Sequence, residues 1–284
     1  MDLSLFLPPL VACLVLVALH SYLGLHVIAR EVIFVDLSLA QMAALGSTVA
    51  ILAGSQPDSP ASFLYALGFT TLGAALFALT RSTEKGPVPQ EAIIGVVFVM
   101  ASAAAILVAD RTPRGGEAIK DILVGSLLWV TWPTIIRLAA IYALVGIFHW
   151  VLRKRFLTIS FEPETALAKG WRIRWWDFAF YLSFGIVITF SVPIAGVLLV
   201  FSFLVVPAAI AFQFTRRHGT LAVISWLAGA LASALGLWVS FHYDLPTGPV
   251  VVCMFGLLLL GAYLLRRAVG QRASTTLAPR SGLG

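Results

Sequence analysis

An all-α, polytopic bundle of about nine membrane-spanning helices is the fold class that this sequence predicts, on three observations. Sixty per cent of the 284 residues are hydrophobic and only 11% are charged, against about a quarter charged in an ordinary soluble domain. Too few charges remain to coat a water-facing surface of that size, so lipid must be the solvent. The apolar residues fall in runs near the length of about 20 that a spanning helix needs, far longer than the alternating segments of a membrane barrel. Finally, fifteen of the nineteen Lys and Arg residues sit on one alternating set of connections, the asymmetry that orients a helical membrane protein. The net charge of +6 therefore marks membrane-flanking loops and lipid headgroups, with no nucleic-acid partner implied.

The first run, Leu3 to Val27, opens on Asp2 where a signal peptide would carry a basic leader, and is kept as a span. Ile33 to Gly54, Ala61 to Thr80 and Ala92 to Ala109 follow. Pro133 to Leu152, Phe178 to Val192, Ile194 to Phe214, Leu221 to Phe241 and Gly248 to Leu265 complete the set. The pair around Pro193 reads either as half-helices or as one long broken hairpin, so the count is eight to nine. With nine, the N-terminus lies outside and the C-terminus inside. Residues 1–267 form a single transmembrane domain, and 268–284, rich in Ser, Thr, Pro and Gly, read as a disordered cytoplasmic tail.

Two connections exceed simple turns. Between Asp110 and Trp132, GGEAIKDILVGSLLWVTW is amphipathic and too charged to cross as a helix, which predicts a short outer-face or re-entrant helix. Between Arg153 and Asp177, FEPETALAKG has Pro163 flanked by Glu162 and Glu164 at a helix start and Gly170 at its end. That predicts a short capped helix on the inner face, with Ala166, Leu167 and Ala168 offering a small apolar surface. The WRIRWW that follows suits the membrane interface.

No HExxH, GxSxG, P-loop or Cys/His metal spacing occurs, so neither ATP hydrolysis nor hydrolytic catalysis is encoded. Cys13 and Cys253 read as small buried hydrophobes. Chemistry within the membrane is confined to a few polar groups. Asp36 and Gln41, early in the second span, are the sharpest, because an unpaired carboxylate there costs several kcal/mol. His20 lies deeper, either lining a path or bonded within the bundle. His26 reads as a solvated interfacial histidine, Arg137 and His149 as residues snorkelling at the two ends of their span, and Gln213 as interfacial. Gly229, Ala230, Ser233, Ala234 and Gly236 predict close helix packing on the eighth span.

The succession HVIAREVIFVDLSLAQMAALG, QEAIIGVVFVMASAAAILV, IKDILVGSLLWV, FEPETALAKG, VPIAGVLLVFSFLVVPAAIAFQF and SALGLWVSFHYDLPTGPVVV resembles the membrane subunit of zinc and manganese ABC importers along nearly the whole chain. The VPAAIA element, the DLPTG loop and the FEPE start of the inner helix carry most of that resemblance. It implies a permease of the cytoplasmic membrane that dimerises, receives a divalent metal from an extracytoplasmic metal-binding protein, and couples through its inner helix (Glu162, Pro163, Glu164, Ala166, Leu167, Gly170) to a cytoplasmic ABC ATPase carrying the ATP. No cofactor is permanently bound. Asp36, Gln41 and His20 become the substrate path, with Asp36 and Gln41 as metal contacts. The family places an aspartate and a histidine four apart, where this chain has Leu37 and Gln41. Asp36 is one residue early, and residues five apart diverge by roughly 140° around a helix. A carboxylate and an amide oxygen suit Mn²⁺, Mg²⁺ or Fe²⁺ better than Zn²⁺. The alternative is a secondary carrier, or a membrane scaffold that has lost its metal path.

Overall fold

The computed structural model describes residues 3–57, 59–81, 88–112 and 124–276. Among these residues there is no strand, and nine helices are long and apolar enough to cross a membrane. They are α1 (Leu3–Ala29), α2 (Val35–Leu52), α3 (Pro60–Thr80), α4 (Gln90–Ala109), α5 (Trp132–Val151), α8 (Ile173–Ala195), α9 (Val197–Phe214), α10 (His218–Tyr243) and α11 (Thr247–Thr276). Two short helices, α6 (Arg153–Phe161) and α7 (Pro163–Ala168), lie between α5 and α8. Helices satisfy their backbone groups internally, which is why lipid-facing runs of this composition fold so.

The spans form two groups. One packs α2 against α3, α4 and α8; the other packs α1 against α9 and α10, with α11 closing on α9 and α10. Small residues set the spacing. A Cβ on Gly24 of α1 would lie 1.8 Å from the Leu204 carbonyl oxygen on α9, and one on Gly46 of α2 would lie 2.6 Å from the Tyr65 carbonyl oxygen on α3. The stripe expected on α10 packs in the same way, Gly229 against Val17 and Gly236 against Val251. Helix α5 stands apart: it buries only Ile135, Leu138, Tyr142, Val145 and His149, one face at helical spacing.

The region around Pro193 resolves into two full spans, not half-helices. Pro193 falls in the last turn of the 23-residue α8, and Gly196 alone, at φ 77°, turns the chain into the 18-residue α9. A loop seals this elbow. Gly125 presses so closely on Ala195 and Gly196 that a Cβ would sit 2.3 Å from the Gly196 nitrogen, and the Ser126 N–H donates to the Ile194 carbonyl at 3.0 Å. Of the expected outer-face or re-entrant helix, residues 113–123 lie outside the described ones; the described part is a 3₁₀ turn at Leu127–Trp129. Helix α11 runs on to Thr276, and the rest of the expected tail, 277–284, also lies outside. Cys13 is buried, whereas Cys253 is exposed on α11, because that helix packs through only one face.

Candidate functional site

The tight α1–α2 elbow, residues 30–34, places Asp36 in the first turn of α2. Its side chain is buried, 1% exposed, and neither carboxylate oxygen has a hydrogen-bond partner. An unpaired buried carboxylate is among the costliest groups a bundle can hold. The Tyr142 hydroxyl lies 3.3 Å from His20 Nδ1, which lies 3.0 Å from the Leu16 carbonyl, and Ser191 Oγ of α8 lies 3.5 Å from His20 Nε2. Tyr142, His20 and Ser191 thus form a buried polar cluster shared by α5, α1 and α8.

Helix α2 is regular from Val35 to Leu52, so the half-buried Gln41 stays on a different face from Asp36. Among the described residues no group of three or more His, Cys, Asp or Glu could hold a metal ion. Toward the opposite end of the bundle from the basic loops, a cavity of about 660 Å³ opens between α2, α3, α5 and α8. It is lined by Ser47, Ser62, Thr134, Arg137 and Thr189, and reaches inward to Leu138, one turn from Tyr142.

At the basic end lies a second buried polar site that sequence reasoning missed. Asp177 Oδ1 accepts from Arg30 Nη1 at 2.7 Å and from Arg81 Nη1 at 2.9 Å. Arg30 also donates from Nε to Ser160 Oγ at 2.7 Å and packs its guanidinium 4.0 Å from the Phe180 ring centroid. Burial lowers the pKa of Arg30 and the Asp177 carboxylate works against that fall. Asp177 is flanked by aromatics, and an acid at the start of a span was the available signal. Its partners lie 147 and 96 residues away in the chain, so the pairing itself left no local trace.

Two histidines overturn their sequence reading. His26 is not solvated: it is fully buried, with Nδ1 2.8 Å from Ser160 Oγ. His149 does not snorkel. It is buried, bonded through Nε2 to Ser183 Oγ at 2.8 Å, and stacked on Phe156 at 4.5 Å. The reason is α6, whose Phe156, Ile159 and Ser160 form a buried face and which folds back and covers both rings. Arg137 and Gln213 keep edge positions, exposed and half-buried respectively.

The short helix between Glu162 and Gly170 is α7, with Pro163 at its start and Gly170 at φ 68° just beyond its end. Its apolar surface differs from expectation. Ala166 is fully buried against Ile159 and Ile173 within the chain, because helices α6 and α8 close on it from both sides. Leu167 is 45% exposed, and Glu162 and Glu164 face outward. The WRIRWW segment supplies Trp171 and Trp176, which take the Arg155 guanidinium at 5.5 and 4.5 Å.

Comparison with known proteins gives a consistent result. The ABC 3 transport family matches residues 2–266. The manganese transport system membrane protein MntC of Listeria innocua is 27% identical over 218 residues, 73% of this chain and 76% of that one. The chelated iron transport system membrane protein YfeC of Yersinia pestis is 26% identical over 217 residues, 74% of each. Among solved structures, PsaBC from Streptococcus pneumoniae in complex with Fab superposes with a TM-score of 0.76 at 19% identity, covering 92% of each chain, a likeness of fold.

Proposed function

The chain belongs to the ABC 3 transport family, as a multi-pass permease subunit whose ATPase is a separate chain, and we propose that it carries a divalent metal of the manganese and iron class along a path that includes Asp36. The observation that carries this reading is the Asp36 carboxylate, buried in the bundle with neither oxygen partnered. A group that costly is retained where something else supplies its counter-charge, and a hard carboxylate oxygen suits Mn²⁺ or Fe²⁺. The relatives named for manganese and iron transport support the same cargo. His20, with Tyr142 and Ser191, forms a polar wall of the path deeper in the bundle, and Gln41 meets the path from a different face of α2 than Asp36.

The path runs between two copies of the chain. Helix α5 presents Ile136, Leu144, Ile147 and Trp150 as an uncovered apolar face, and its buried stripe includes Tyr142 of the His20 cluster. A homodimer built on α5 would cover that face and set the two carboxylates on either side of one axis. The basic end faces the cytoplasm and the N-terminus lies outside, following the loop charges. Helix α7 then meets the ATPase with Leu167, Glu162 and Glu164, a short rigid element braced from within by Ala166. The extracytoplasmic binding protein delivers metal to the hydroxyl-lined cavity at the other end.

The test is reconstitution with the ATPase and the binding protein in proteoliposomes, followed by uptake of radiolabelled Mn²⁺, Fe²⁺ and Zn²⁺. Saturable, ATP-dependent uptake of Mn²⁺ or Fe²⁺ in preference to Zn²⁺ is expected, shifting toward Zn²⁺ in Gln41→His. Uptake of none of the three would overturn the reading.

A further inference from the structure

We infer that Arg30 is a positioning residue of the transport cycle, a clamp that ties the inner helices α6 and α7 to the α1–α2 elbow and so to Asp36; this rests on the reading of α7 as the ATPase contact. Three observations carry it. First, Arg30 is where three elements meet: its Nε holds Ser160, the penultimate residue of α6, at 2.7 Å, and its Nη1 holds Asp177 at the start of α8, also at 2.7 Å. Through Asp177 it reaches Arg81 at the end of α3, at 2.9 Å. Ser160 stands three residues before Pro163, where α7 begins, so a displacement of α7 reaches Arg30 through the Ser160 hydroxyl as well as through the α8 that carries Asp177.

Second, Arg30 opens the elbow that sets Asp36. Residue 31 is a glutamate in the left-handed region, φ 56°, a conformation that costs a non-glycine residue about 1 kcal/mol and persists only where its surroundings impose it. The far side of the elbow is pinned by the Phe34 N–H, which donates to Glu91 Oε1 of α4 at 2.9 Å. Asp36 follows two residues later. The elbow is therefore a short strained segment held at both ends, with the clamp at one end and the substrate carboxylate at the other.

Third, the clamp is only half closed. Asp177 Oδ1 serves both arginines while Oδ2 has no partner, and Arg30 Nη2 is likewise buried and unpartnered. An arginine and a carboxylate in full engagement pair through both prongs of each fork. The unused donor and acceptor give the pair a second arrangement to move into, which is the requirement for a two-state coupling element. Movement of α7 on ATP binding would pull Ser160, shift Arg30 on Asp177, and reset the elbow that carries Asp36.

The test uses the reconstituted complex and three variants: Ser160→Ala, which removes one oxygen; Arg30→Lys, which keeps the charge but cannot hold Ser160 and Asp177 as a fork; and Leu167→Asp on the exposed face of α7. The readouts are metal transported per ATP hydrolysed, metal affinity and melting temperature. Ser160→Ala and Arg30→Lys are expected to lower the transport-to-hydrolysis ratio about threefold to tenfold with metal affinity held and a smaller fall in melting temperature than Asp177→Ala shows, since Ser160→Ala also leaves buried His26 Nδ1 without its partner; Ser160→Thr, which restores the hydroxyl, is expected to recover both. A wild-type ratio in both, with the ratio lost in Leu167→Asp, overturns the clamp and leaves the ATPase contact standing. A wild-type ratio in Leu167→Asp removes the contact at α7 and the clamp with it. A lowered ratio that Ser160→Thr does not recover, in a variant whose melting temperature falls as far as that of Asp177→Ala, also overturns it, since the residues would then act only on stability.

Discussion

Asp177 and Asp36 are both buried acids near the start of a span, and they are treated in opposite ways. Asp177 is gripped by two arginines from α1 and α3; Asp36 is gripped by nothing. A buried pair costs much to break because the survivor is left uncompensated, so Asp177 holds the helices together. An unpaired carboxylate contributes nothing to the bundle that contains it, so Asp36 is kept for another purpose. Neutralising the first is expected to unfold the protein, and neutralising the second to disable it.

The largest effect should come from Asp177→Ala, which strands Arg30 and Arg81. A loss of about 3 to 5 kcal/mol is expected, seen as a collapse in melting temperature and folded yield in detergent. Arg81→Ala, which leaves the Arg30 pair in place, should cost less than half as much.

Next is Gly24→Ala on α1, between His20 and His26, where a methyl group would meet the Leu204 carbonyl at 1.8 Å. Backbone cannot yield as a side chain can, and overpacking of this kind costs about 1 to 3 kcal/mol. Because α1 carries both polar sites, the variant should lower melting temperature and transport together. Loss of only one of the two would separate the sites more sharply than their shared helix suggests.

Tyr142→Phe should do less to stability, about 1 kcal/mol for one removed hydroxyl, while raising the KM for metal uptake, since the hydroxyl orients His20 on the proposed path, 3.3 Å from its Nδ1. An unchanged KM would leave the His20 cluster as packing alone.

The division between the two sites also explains what the sequence made legible. Spans, the α7 helix and the stripe on α10 follow from hydropathy, a proline-glycine frame and helical spacing, all local signals, and Asp36 stood out because a carboxylate in an apolar run is conspicuous on its own. Arg30 and Arg81 were counted among loop charges and Asp177 as the edge of a connector, since pairing across 147 and 96 residues has no local signature. His26 and His149 were misplaced for the same reason: the cover that buries them is α6, whose Phe156, Ile159 and Ser160 stripe lies within a basic stretch that reads as solvated. Composition alone assigns Ala166 outward, and only its packing against Ile159 and Ile173 turns it inward.

The most direct test of the central claim is Asp36→Asn, which keeps the shape of the side chain and removes its charge. Asparagine breaks no ion pair at this position, so the melting temperature of the purified protein should match wild type or rise, while ATP-dependent metal uptake by the reconstituted complex falls to background. Uptake at the wild-type rate, or a melting temperature that falls as far as in Asp177→Ala, would contradict the account by showing that Asp36 is either idle or structural.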